Sequence, residues 1–209
     1  MRTDGVGHLD DWRGAVSGRE KSAWKQMHTL LTEIYGAAAG GAYSACAQEQ
    51  ARIWLQATRE TSPTRLKTMR ETILPRVAVY AVLKDNGEDA DAVLEKYVRE
   101  VAGPMMHRIY AGAERVPFFY DLFSRGMQRV TDRSDRWDCE SKREKDRLLL
   151  DIHKCLWYDA CVECGCPEAC RFFCECDNYT YGNLHTLRFW RTQTLGTGGK
   201  LCDFVFYRK

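Results

Sequence analysis

The chain lacks an excess of either charge. Its 209 residues carry 31 Lys and Arg against 29 Asp and Glu, a formal net charge of +2. No strong field is available to gather nucleic acid or an anionic membrane. Long apolar runs are missing too; nothing approaches the roughly 18 consecutive apolar residues of a membrane-crossing helix. The opening stretch, MRTDGVGHLDDWRGAVSGREK, has no apolar core of the kind that marks a secretory signal. No repeat unit recurs. Cysteine is nearly absent from the first two-thirds, where only Cys46 precedes Cys139. These absences point to a cytoplasmic protein with no nucleic-acid and no membrane partner.

What is present is concentrated near the end. CLWYDACVECGCPEACRFFCECD, from Cys155 to Asp177, holds seven of the ten cysteines. A reducing cytosol argues against disulfides, and a chain of this length does not need staples. The cysteine steps are six, three, two, four, four and two residues. Only one C-x-x-C occurs, at Cys161 and Cys164, without the second knuckle of a structural zinc site. The run also matches none of the usual iron–sulfur spacings. Small buried hydrophobes are the plainest reading of most of these thiols.

The chain divides into three regions: a flexible tail over 1–20, a helical region over 21–147, and a Cys-rich α+β region over 148–209 closing on a hairpin. The expected fold class is α+β, with a helical N-terminal half packed on a small C-terminal α/β portion that contains an antiparallel hairpin. The helical reading rests on apolar residues at three- and four-residue steps. They are Trp24, Met27, Leu31 and Ile34; Leu66, Met69, Ile73, Val77 and Tyr80; Val93, Tyr97 and Val101; and Phe119, Leu122, Phe123, Met127 and Val130. Ser62-Pro63 suits a helix start. Asn86-Gly87 reads as a turn, Pro75 predicts a kink or break, and Gly103-Pro104 interrupts another stripe. The charge-dense stretch TDRSDRWDCESKREKDR, 131–147, reads as a solvated linker or exposed helix.

In the last region RLLLDIHKC alternates as a strand, with Asp151, His153 and Cys155 on one face and Leu150 and Ile152 on the other. LWYDACVEC predicts a short helix stopped by Gly165 and Pro167. PEACRFFCECD predicts another, with Cys170 and Cys174 on one face. LRFWRTQTL and KLCDFVFYR around GTGG form a hairpin signal. With those four residues as the loop, Gln193 faces Cys202 and Arg191 faces Phe204. Residues 151–209 carry seven basic and seven acidic side chains and 11 of the 24 aromatics. Such a composition suits a packed pocket or a dimer face, so a homodimer stays among the readings.

Three segments carry a family resemblance: CLWYDACVECGCPEAC, FCECD and RTQTLGTGGKLCDFVFYRK. In order and spacing, the C-terminal third, about residues 145–209, resembles the L-2-amino-thiazoline-4-carboxylic acid hydrolase family. The resemblance implies an enzyme that opens a cyclic isothiourea ring, giving N-carbamoyl-L-cysteine. The family pattern falls on Cys155, Glu168, Cys174, Asp177, Thr192, Thr194, Cys202 and Asp203. Cys161, Cys164, Cys166, Cys170 and Cys176 are additions to it.

Hydrolysis at an amidine-like carbon needs a nucleophile, a base for water and an acid for the leaving group. The candidate catalytic residues are therefore Cys174, Cys202, Asp177 and His153. Glu168, Arg191, Thr192, Thr194 and Cys155 are candidates for binding the substrate, Arg191 as a bidentate clamp for a carboxylate. Plainer roles compete: a turn or cap for Asp177, a hairpin surface position for Asp203, and complementing a helix dipole for Glu168. The expected partner is a small heterocyclic substrate, with no metal and no cofactor. The rival readings are a metal- or cluster-binding protein built on Cys155–Cys176 and a non-catalytic small-molecule sensor.

Overall fold

A computed structural model of the protein describes residues 16–209. The tail expected over 1–20 falls outside these residues as far as position 15. From Gly18 the chain is already helical. The Ser17 hydroxyl accepts from the Glu20 amide at 3.1 Å and starts α1 (Gly18–Ala57). Met27 and Leu31 are buried, whereas Ile34 is largely exposed. At Gly36 (φ 81°, ψ 165°) the helix breaks, in a backbone region that only glycine adopts freely. The chain turns back on itself there, and the Tyr35 and Tyr43 rings meet edge to face at 5.1 Å. Gly40 then lies against the backbone of Leu31 and Thr32; a Cβ there would overlap the Leu31 carbonyl oxygen.

Ser62 caps α2 (Pro63–Thr68), with Pro63 as its first residue. Pro75 does not end the helical run. A π-turn, Met69–Ile73, joins α2 to α3 (Leu74–Asp85). Proline has no N–H and its ring crowds the carbonyl four residues back. Widening the preceding turn relieves both problems. Gly103-Pro104 is handled alike: α4 (Ala90–Tyr97) runs through a π-turn, Val98–Ala102, into α5 (Gly103–Ala113). The two segments, MRETILP and VREVAGP, place Arg-Glu at the same distance before Pro. Asn86 and Gly87 form the turn between α3 and α4.

In α6 (Phe119–Arg133) Phe119, Tyr120 and Phe123 point inward. Leu122 and Val130, expected on that stripe, are exposed instead. The expected linker over 131–147 is the end of α6 followed by β1 (Trp137–Arg143). Its charged side chains alternate outward from an edge strand, so charge density did not preclude pairing. β2 (Arg147–Cys155) leads directly into α7 (Leu156–Glu163), and a 3-10 turn, Pro167–Ala169, into α8 (Cys170–Tyr181). β3 (Leu187–Trp190) and β4 (Cys202–Arg208) complete an antiparallel sheet in the order β1-β2-β4-β3. The architecture is α+β: a mostly helical N-terminal half and a four-stranded sheet at the C-terminal end.

Two buried clusters form. Helices α1, α3 and α4 share the first with α7 and α8, through Leu156, Cys161, Cys170 and Phe172. The second joins Phe119, Tyr120 and Phe123 to Leu148, Leu150, Ile152, Leu187 and Phe206 of the sheet. Both clusters draw residues from either side of residue 147. The Gly40 contact is backbone against backbone, where no rotamer change makes room. Gly40→Ala is expected to cost roughly 1–3 kcal/mol through overpacking, read as a lower denaturant midpoint at unchanged m-value.

Candidate active site

Helix α8 supplies the floor of the site. Cys170, Cys174, Asp177 and Tyr181 lie four, three and four residues apart, so one stripe of the helix carries all four. Asp177 is thus a mid-helix residue rather than a turn or cap. The β3–β4 connection folds over this stripe. Arg191 donates to the Cys174 carbonyl at 2.6 Å and pairs with Asp177 at 3.3 Å. Its guanidinium is 5.4 Å from the ring centroids of both Phe189 and Phe204, as cation–π packing requires. Arg191, expected as a free clamp, is therefore already committed to α8.

The hairpin register is the expected one. Trp190 pairs with Val205 and Phe189 with Phe206, in line with the expected alignment, but the ladder stops there and does not reach Arg191 and Phe204 or Gln193 and Cys202. The loop is longer than GTGG, because paired strand ends at Trp190 and resumes at Cys202. Asp203 explains the difference. Its carboxylate accepts from the Thr192 and Gln193 amides at 2.9 and 2.8 Å and from the Thr192 hydroxyl. These bonds bend the chain off the ladder. Burial raises the Asp203 pKa, but the hydrogen bonds outweigh it and hold the carboxyl below its usual range. Thr192 and Asp203 hold the loop in shape. The bend continues through a 3-10 turn, Leu195–Thr197, that sets Gly196 on the thiols of Cys170 and Cys174. A Cβ at Gly196 would lie 2.9 Å from each sulfur. Thr194 is buried there, with its hydroxyl 2.9 Å from that of Thr197 and near Cys174.

Cys155 reaches the same place by an irregularity. The β1–β2 ladder pairs Asp138 with Lys154 but Cys139 with Ile152, leaving His153 as an extra residue. Such a bulge shifts the side-chain alternation by one. Cys155 therefore turns inward beside Cys174 and Cys202, not outward with Asp151 and His153 as strict alternation predicts. His153 lies on the outer side, 3.5 Å from Glu140, and takes no part in the thiol cluster. Glu168 is also elsewhere. It pairs with Lys84 at the end of α3, and that ammonium holds its carboxyl below the usual range.

The thiols of Cys155, Cys161, Cys170, Cys174 and Cys202 are contiguous, and all ten cysteines are free. Cys174 is pushed strongly upward by hydrogen bonding with Cys170 and by burial. Cys170 is raised by hydrogen bonding with Cys161. Burial pushes Cys155 up to about 12, against the pull of the Trp157 and Tyr158 amides. Burial likewise takes Cys202 to about 11, while the Leu195 N–H donates to its sulfur at 3.3 Å. Among the described residues no three His, Cys, Asp or Glu side chains converge as a metal's ligands do.

Asp177 stands out differently. Its side chain keeps 31% of its exposure, yet burial pushes its carboxyl up to about 7, against the pull of Arg191. Asp177 thus keeps solvent contact beside the buried Cys202, Thr194 and Thr180, and this part-open position is a recess. One turn on from Asp177, Tyr181 packs on Tyr110, Phe123, Phe189 and Phe206 at 5.0–6.0 Å, as part of the second core cluster. Burial raises the Tyr181 hydroxyl well above its ordinary range, with Tyr110 and Asp177 adding to it. Sequence reasoning missed Tyr181, though its four-residue step from Asp177 was available. Tyr110 comes from α5 and had no local signal.

Thiol labelling with a maleimide at neutral pH checks these environments. Cys46 alone is exposed, and Cys161, Cys166, Cys170 and Cys202 are buried, so one fast equivalent is expected, abolished by Cys46→Ser, with the half-buried thiols slower and the buried ones reacting on unfolding.

A family model described as L-2-amino-thiazoline-4-carboxylic acid hydrolase matches residues 65–206. The match runs from α2 to β4, far beyond the C-terminal third, and takes in most of the helical half. No curated protein matches the chain, and no solved structure does. The name denotes a hydrolase of an aminothiazoline carboxylate. With most of its length matched, and every element of the recess inside the match, the chain belongs to the L-2-amino-thiazoline-4-carboxylic acid hydrolase family.

Proposed function

We propose that the chain hydrolyses 2-aminothiazoline-4-carboxylate or a closely related cyclic isothiourea, with Asp177 as the proton carrier. The observation that carries this reading is the part-exposed Asp177 carboxyl, raised to about 7 beside Cys174, Cys202 and Tyr181. A carboxyl poised near neutral pH exchanges protons in both directions, which a general acid–base needs. Ionised, it also complements an amidinium.

In the proposed reaction a nucleophile adds to the ring carbon between sulfur and nitrogen, and the carbon–sulfur bond breaks. The departing sulfur takes a proton from the Asp177 carboxyl. With a thiol nucleophile the ring-opened substrate is held as an isothiourea; water then adds, the enzyme thiol leaves, and a carbamoyl product is released. The sum is addition of one water. Cys202 is the better nucleophile of the two candidate thiols, Cys174 and Cys202. The Leu195 amide supports its anion, Arg191 adds to that support, and its pKa is raised less than that of Cys174. None of these thiols rests as a thiolate, so ionised Asp177 takes the thiol proton as attack occurs. Arg191 keeps Asp177 aligned, through its pairing with that carboxylate and its hold on the Cys174 carbonyl.

Mass spectrometry of the incubated substrate tests the activity directly: a product heavier by one water is expected, and an unchanged panel of cyclic isothioureas contradicts it. Asp177→Asn is expected to lower turnover by about 10²–10⁴-fold. Cys202→Ser is expected to abolish an acid-trapped adduct that carries the whole substrate mass, while Cys174→Ser retains it. If Cys202→Ser and Cys174→Ser both turn over normally, water rather than sulfur is the nucleophile.

Stability supplies a separate check. The Asp177 pKa is raised above its ordinary value of 3.8, so the folded state holds its proton more tightly than the unfolded chain. The preference is fully present below pH 3.8 and is lost as pH rises through 7. Relative to wild type, the Tm of Asp177→Asn is therefore expected to rise between pH 5 and pH 8.

A further inference from the structure

On the outer side of α6, away from the thiols, lies an open cavity of about 330 Å³ lined by Arg125, Gln128, Arg129, Asp132, Arg133 and Arg143. Three of the arginines follow one another at four-residue steps along α6, and the fourth comes from β1. The lining carries four positive charges and one negative. None of the four guanidiniums forms an ion pair among the described residues. Asp121, whose charge Arg125 and Arg143 feel, is already held by Arg208 at 2.5 and 3.0 Å. Asp132 is committed as well: the Ser141 hydroxyl donates to it at 2.6 Å and accepts from Gln128 at 3.0 Å. That chain of hydrogen bonds ties α6 to β1 and fixes the floor between the arginines.

Elsewhere on this protein several exposed cations pair with carboxylates. Arg52 pairs with Glu49, Lys96 with Glu100 and Arg147 with Glu144. Four like charges gathered at one cavity repel each other, and the C-terminal dipole of α6 offsets only those in its last turn. Their gathering at one cavity, rather than their lack of partners alone, calls for an anion from outside the chain. Guanidinium forks match phosphate oxygens two at a time, and a net charge of +3 from the lining suits a group with two or three negative charges. The cavity has room for a diphosphate but not for a nucleic-acid duplex.

We propose that this cavity between α6 and β1 is a binding site for a small diphosphate-bearing ligand, held by Arg125, Arg129, Arg133 and Arg143. It is separate from the thiol-lined recess, and none of its residues takes part in the reaction proposed there.

Titration calorimetry of the full chain at low salt, with inorganic pyrophosphate as the probe, tests the site. Saturable one-to-one binding is expected, weakening as salt rises. The double variant Arg129→Gln/Arg133→Gln is expected to lose affinity about tenfold or more. Arg143→Gln, on the other element, is expected to weaken it independently, and Arg52→Gln on α1 to leave it unchanged. Absence of binding by wild type, or binding by the two cavity variants as tight as by wild type, overturns the proposal. Equal affinity for citrate overturns the assignment to phosphate, and tighter binding of duplex DNA lost in the same variants overturns the assignment to a small ligand.

Discussion

The contact between Arg191 and Asp177 organises the C-terminal half. It joins a loop that leaves β3 to the middle of α8, and the same guanidinium grips the Cys174 carbonyl. Phe189 and Phe204 hold Arg191 between them, so hairpin, helix and loop share one joint. At a surface such a pair contributes roughly 0–1 kcal/mol. In the recess the balance differs, because desolvating a carboxylate costs several kcal/mol before any partner is counted. Desolvation is the larger effect here, and Asp177 is left near neutrality despite its cation. The loop's shape depends in turn on Asp203, which pulls Thr192 and Gln193 off the ladder and so delivers Thr194 and Gly196 to the thiols.

The cysteine run resolves into different jobs. Cys161, Cys166 and Cys170 are packing residues of the helical core, small enough to let α7, α8 and the 3-10 turn approach closely. Cys170 and Cys174 leave room for nothing larger than Gly196 above them. Cys155 arrives through a bulge and Cys202 through the first position of β4. Thiols buried together suppress one another's ionisation, which fits a structural role for most of them. The amide on Cys202 makes it the one for which the proposed chemistry is least costly.

Much of this layout is legible in the residues. Alternating aromatic and β-branched residues on both sides of GTGG are enough to set the hairpin register, since a slip would expose Cys202 and Phe206 together. The steps between Cys170, Cys174 and Asp177 reveal a shared face once the segment is read as helix. Other features depend on tertiary context. The bulge at His153 exists only because β1 pairs with β2, and β1 itself is too charged to read as a strand. Pro75 and Pro104 look like breaks because a π-turn leaves no local signature. Tyr110 meets Tyr181 from the far end of the helical half. The family resemblance at the C-terminal end pointed to residues that meet at the recess or its loop, except Glu168, whose partner on α3 lies outside that stretch.

The proposed chemistry depends on one carboxyl changing its proton near neutral pH. Its titration can be followed by carbon NMR of protein labelled at aspartate carboxyls, with Asp177→Asn identifying the signal. An apparent pKa close to 7, displaced when Arg191 is replaced by Gln, is the result expected. A carboxyl that titrates near the ordinary 3.8 would contradict Asp177 as the proton carrier, whatever substrate the recess accepts.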